Sequence, residues 1–165
     1  MGCATLLGLV ERLIERYALM PHPEGGWYRE TYRAARTMPG TQRSVCTAIL
    51  YLLAEGQRSR LHRIDADEIW HFHRGDPLHL IELVPGAPAE VHVLSAEQPQ
   101  VVVAAHTWFG AMPAAGSRWT LCGCTVSPGF EFSGFELGDT ARLLAEFPLA
   151  RPEIIALRDA KLMNK

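Results

Sequence analysis

Between residues 27 and 127 the chain is a succession of short segments rich in β-branched and aromatic residues, near 27–34, 45–54, 58–64, 68–73, 77–84, 89–95, 99–104, 107–110 and 118–127. Turn-forming residues separate most of them. No long helical pattern lies between them, whereas parallel strands need crossover connections of a dozen or more residues, usually helical. The pattern therefore predicts a mainly β chain built from antiparallel strands, as a double-sheet jelly-roll barrel spanning about residues 27–137.

Helical patterns flank this region. Residues 4–18 place Leu6, Leu7, Leu9, Val10, Leu13, Ile14 and Tyr17 at helical spacing with Glu11, Arg12, Glu15 and Arg16 largely opposite, which predicts an amphipathic helix packed on something larger. Residues 21–26, Pro-His-Pro-Glu-Gly-Gly, cannot continue it and predict a structured loop able to frame a pocket mouth. Near the other end, Asp139 as an N-cap and Pro148 as a break predict two short helices over about 139–161. A length of 165 residues with 48% hydrophobic content fits a single domain, residues 1–165.

The charge balance excludes several function classes. A formal net charge of −2, with no run of like charges, gives no electrostatic basis for binding nucleic acid or an anionic membrane. Charged residues interrupt the first apolar stretch, so neither a signal peptide nor a membrane span is expected, and a cytosolic location is. Cys3, Cys46, Cys122 and Cys124 contain no CxxC pair and are expected to be reduced thiols.

Residues 56–75, GQRSRLHRIDADEIWHFHRG, resemble the first motif of the cupin superfamily through Gly56, His62, Glu68 and Gly75. Ile64 stands where that motif has its second histidine, and Phe109 where the second motif has its histidine. With PHPEGGWYRETYR at 21–33, SVCTAILYLL at 44–53 and RWTLCGCTVSPGFEFSGFEL at 118–137, the chain is similar to the cupin-5 family, a domain of unknown function. The resemblance implies a double-stranded β-helix barrel of the deoxysugar 3,5-epimerase (RmlC-like) type, a homodimer, and a pocket inside the barrel. It leaves only His62 and Glu68 of four metal ligands, so no cofactor is expected. A divalent metal is disfavoured; were one present, His62, Glu68 and His73 would hold it.

His62 and Glu68 are the candidate catalytic pair, since a carboxyl buried among apolar walls is pushed toward a useful acid/base range and an imidazole beside it carries protons. Strand alternation puts Trp70 and Phe72 on the face of Glu68 and sends His71 and His73 to the other face. Trp70, Phe72 and Trp119 are expected to wall the pocket, Phe132 to offer a stacking surface, and Tyr28 and Glu30 to project toward it together with Tyr32. Structural packing remains open for each of these aromatics.

Three functions are consistent with these residues. The first is a metal-independent sugar or nucleotide-sugar epimerase or isomerase acting on a small polar metabolite. The second is a non-catalytic sensor or carrier, and the third a metal-dependent oxygenase or isomerase with a non-standard site.

Overall fold

The computed structural model describes residues 6–158. It opens with helix α1 (Leu6–Tyr17), followed by strands β1 (Met20–Pro21), β2 (Trp27–Arg33), β3 (Thr47–Ala54), β4 (Ser59–Ile64), β5 (Asp67–Gly75), β6 (Leu78–Glu82), β7 (Glu90–Leu94), β8 (Gln100–Val103), β9 (Phe109–Pro113), β10 (Trp119–Ser127) and β11 (Phe135–Leu137). Helices α2 (Thr140–Glu146) and α3 (Arg151–Ala156) close it. The strands form two antiparallel sheets, in the orders β1-β2-β3-β10-β5-β8 and β11-β4-β9-β6-β7.

The chain is thus mainly β, as the segment pattern predicts, with a strand in every predicted segment. The segment at 107–110 begins late and becomes β9, while β1 and β11 are too short to leave a pattern. Residues 4 and 5 of the predicted first helix, residues 159–161 of the last, and Cys3 lie outside the described residues. Cys46, Cys122 and Cys124 are free thiols.

Period-2 alternation sorts side chains into layers. Tyr51, Leu53, Trp70, Cys122 and Cys124 of the first sheet meet Leu78, Leu80, Phe109 and Ala111 of the second in the central core. The intervening residues of the first sheet, Leu52, Trp119 and Leu121, face outward and are covered by Leu9, Val10, Leu13, Ile14 and Tyr17 of α1. The helix therefore exists to bury an outer sheet face, with its four charged residues in solvent.

The outer face of the second sheet is covered in the same way. Leu143, Phe147, Ile154 and Leu157 of the C-terminal helices pack on Leu61, Ile81 and Trp108. Asp139 caps α2, accepting a bond from the Arg142 amide at 2.8 Å. The space between the sheets opens at the end where Ile64, Ala66 and Val126 meet Phe130 and Phe135.

Candidate functional site

The cavity at that open end encloses about 290 Å³, room for roughly ten water-sized groups. His62 and Ile64 of β4, Glu68 of β5, Cys124 and Val126 of β10, and Ile49 and Tyr51 of β3 reach it because each lies on the inner phase of its strand. Tyr28, Glu30 and Arg33 of β2 and Phe130, Glu131 and Phe132 form its mouth. The loop between β1 and β2 adds His22 and Glu24.

Glu24 enters the site because its loop folds onto β4. The Arg60 amide donates to the Glu24 carbonyl at 3.0 Å, and Gly25 and Gly26 turn the chain with φ of 119° and 70°. A side chain at Gly25 would collide with the Arg58 carbonyl, so this turn requires glycine. The Glu24 carboxylate, 5% exposed, accepts a bond from Ser59 Oγ on Oε1 at 2.8 Å and lies 3.2 Å from His62 Nε2 through Oε2.

His62 is held at both ring nitrogens. Its Nδ1 lies 2.8 Å from the Arg60 carbonyl, an acceptor, so that nitrogen carries a proton and donates. Nε2 and Glu24 Oε2 then share the remaining proton between them, since two lone pairs at 3.2 Å would repel. Phe109 packs against the imidazole with ring centroids 4.3 Å apart, and Phe135 stacks at 5.4 Å.

Glu68 has no such cation. Burial is the main cause that raises its pKa from 4.5 to about 8, and the charge of Glu24 adds to it. At neutral pH Glu68 is therefore a carboxylic acid facing a cavity that also contains the Glu24 carboxylate. Cys124 beside it is driven well above the ordinary thiol range, by burial first and Glu68 second, and stays a neutral thiol.

His22 is depressed below its usual pKa by burial, against the pull of Glu24. The Glu24 amide donates to its Nδ1 at 3.3 Å, which fits the neutral ring. Tyr51, whose ionisation burial suppresses, donates to the Gly25 carbonyl at 2.5 Å and braces the same loop.

The structure brings together His62, Glu68, Tyr28, Glu30 and Phe132. It does not bring in Trp119, which faces outward beneath α1 with 6% exposure, because β10 turns Cys122 and Cys124 inward and so Trp119 outward. Trp70 shares the inner face with Glu68 but is sealed in the core, edge-on to Tyr51 at 5.6 Å, and Phe72 packs against that core rather than the cavity. Tyr32 also departs from expectation: a register shift between Glu30 and Tyr32 breaks the alternation of β2, leaving Tyr32 55% exposed while Arg33 reaches the mouth.

His73 does not complete a metal site. It lies over Gly123 on the outer face of the first sheet, and His71 on that same face contacts Thr125 Oγ1 at 3.0 Å. Ile64 lines the cavity with an aliphatic side chain and Phe109 is wholly buried against His62, so neither replaces a ligand. Among the described residues no group of three or more His, Cys, Asp or Glu side chains is arranged to hold a metal ion. The donor set thus does not fit the metal that cupins commonly carry.

Sequence reasoning missed Glu24, His22 and Tyr51 as members of the site. The one local signal was the Gly25-Gly26 pair, which marks a close approach of backbone without naming the side chain that it delivers.

The model of the cupin superfamily family known as DUF985 matches residues 11–138. The chain belongs to this cupin family. A Shewanella oneidensis protein of known structure is 34% identical to it, covering 90% of this chain and 96% of that one, with a TM-score of 0.83. A hypothetical protein from Leishmania major is 30% identical over 89% and 97% of the two chains, also with a TM-score of 0.83.

The chain also matches an oxalate decarboxylase of Bacillus subtilis, at 12% identity and a TM-score of 0.54, over 84% of this chain and 37% of that one. That likeness establishes the cupin fold of this family member. No curated protein matches the chain. Among the described residues no helix is long and apolar enough to cross a membrane.

Proposed function

We propose that this cupin binds a small polar metabolite and moves a proton on it without a tightly held metal, as an isomerase or epimerase does. The observation that carries the reading is a pair of buried carboxyls in one cavity, Glu24 held as the acceptor of Ser59 and His62, and Glu68 held neutral. A carboxyl kept neutral by burial, in one cavity with a second carboxyl that accepts hydrogen bonds, places a proton donor within reach of a base.

In this reading the Glu24 carboxylate, held by His62, accepts the proton on a carbon beside a carbonyl, while Glu68 delivers its own proton to the carbonyl oxygen. The resulting enol returns to the carbonyl form when solvent water delivers a proton to the other face of the carbon, Glu68 recovers its own and Glu24 releases the proton it took to solvent. No electron is gained or lost, so no oxidant is needed. His62, expected from sequence to act as base with Glu68 orienting it or serving as the second acid/base group, works here through Glu24.

The test is hydrogen exchange in deuterated water, with a panel of keto- and aldo-sugars followed by proton NMR. Loss of a carbon-bound proton signal on a bound sugar is expected, slowed at least about 100-fold by Glu24→Gln, His62→Asn or Glu68→Gln with KM moved far less. Binding without exchange would sink the catalytic reading and leave the carrier, which Ile64 and Phe109 favour because they occupy ligand positions. The same reading takes the protein as a cytosolic homodimer; a stable monomer in gel filtration would count against the pairing.

A further inference from the structure

The side chains around this cavity carry an uneven charge. Three carboxylates line it, Glu24 inside beside His62 and Glu30 and Glu131 at the mouth, together with the neutral acid Glu68 and one guanidinium. That guanidinium, Arg33, is already engaged: Nε and Nη2 bind both oxygens of Glu30 at 3.0 and 2.7 Å, and Nη2 also reaches the Phe130 carbonyl at 3.2 Å. No Lys lines the cavity, so an incoming phosphate would meet three carboxylates and a guanidinium that is already paired.

The aromatic rings supply a second, independent indication. Phe130 and Phe132 stand edge to face, centroids 5.0 Å apart, at the mouth, and Tyr28 meets the His22 ring at 4.5 Å beside them. Phe132 is 55% exposed, an aromatic face left open at the entrance. Aromatic faces around carboxylates are the surroundings that attract an ammonium group, through the ring quadrupoles and through charge-assisted bonds.

Resting on the proposed function for the pocket itself, we infer that its ligand carries an amine protonated at neutral pH, set between the Phe130–Phe132 corner and the inner carboxyls, and carries no phosphate. A sugar or other polyol bearing an ammonium group fits; a nucleotide-linked sugar does not. The Glu24 carboxylate and the neutral acid Glu68 line the same cavity, so an ammonium there would meet one charged and one neutral oxygen acceptor.

The experiment compares matched ligands on two skeletons at pH 7: D-glucosamine, D-glucose and D-glucose 6-phosphate, and 1-amino-2-propanol, propane-1,2-diol and its monophosphate. Dissociation constants are measured by ligand-observed NMR on the full chain. On at least one skeleton the amine is expected to bind roughly tenfold more tightly than the alcohol, with the phosphate weakest. An alcohol equal to its amine on both skeletons, a phosphate that binds tightest on either, or no amine binding at millimolar concentration would overturn the inference.

Glu24→Gln, which removes the inner negative charge, is expected to abolish the amine preference. Because that residue is buried, Phe132→Leu at the exposed mouth is the second variant, expected to reduce the preference roughly threefold. Preference unchanged in both variants would also overturn it. These are binding ratios and do not depend on turnover, so failure of proton exchange and failure of the amine preference are read separately.

Discussion

His62 Nε2 and Glu24 Oε2 lie 3.2 Å apart inside the cavity, joining a strand residue to a loop residue 38 positions earlier in the chain. Both are nearly free of solvent, so neither charge is satisfied by water. Glu24→Gln leaves the shape in place but removes the carboxylate. Breaking one side of a buried pair costs about 3 kcal/mol, and the Glu68 pKa should fall from about 8 because one of its two raising causes disappears. Urea unfolding and a carbon-13 titration of the Glu68 carboxyl measure the two effects; a Glu68 value that stays near 8 would show that Glu24 does not act on it.

Stability should fall as pH rises from 6.5 to 8. Glu68 keeps its proton up to about pH 8 in the folded chain and loses it near 4.5 when unfolded, so over that window the folded state binds more protons. A raised carboxyl contributes stability that is fully present below 4.5 and gone above about 8, at up to roughly 1.4 kcal/mol per pH unit. His22, depressed by burial, has the opposite sign and acts below 6.5, where the unfolded imidazole takes the proton. Half-buried Glu82 is raised as well and adds in the same direction as Glu68. Unfolding free energies at stepped pH should therefore slope downward above 6.5, and Glu68→Gln should remove more than half of that slope; an undiminished slope would assign it elsewhere.

Gly25 has a steric consequence that Gly56 lacks. Its φ of 119° and its approach to the Arg58 carbonyl mean that Gly25→Ala must shift the loop that carries Glu24, whereas Gly56, at φ 77°, faces open space. Gly56→Ala is expected to cost about 1 kcal/mol from the backbone alone. Gly25→Ala should cost more than about 2 kcal/mol and also weaken ligand binding, because the carboxylate moves with the loop. Equal costs for the two variants, read by thermal unfolding, would refute the close approach.

What was legible in the sequence was what depends on local period. Glu68, Trp70 and Phe72 fall on the inner face and His71 on the outer one, because nothing in β5 between 67 and 72 breaks the alternation, and His73 keeps the outer face at the register shift that follows Phe72. Glu24 was not legible, since its place is set by a loop bonding to β4 some 36 residues away. Tyr32 was misplaced by a bulge that no residue type announces. Trp119 was misread for a different reason: aromatic character reports burial, but only the phase of Cys122 and Cys124 reports the face, and α1 offers the outer face an equally apolar cover.

Trp119 and Phe132 separate stability from recognition. Trp119 is 6% exposed beneath α1, so Trp119→Ala should lower the unfolding free energy by about 3–5 kcal/mol while folded protein keeps its ligand affinity. Phe132 is 55% exposed at the cavity mouth, so Phe132→Ala should cost less than about 1 kcal/mol in stability but weaken an ammonium ligand roughly five- to tenfold. Denaturant unfolding and glucosamine titration on the same two proteins measure both quantities. The reverse pattern, with Trp119→Ala losing the ligand and Phe132→Ala keeping it, would place recognition on the outer sheet face and remove the mouth aromatics from the site.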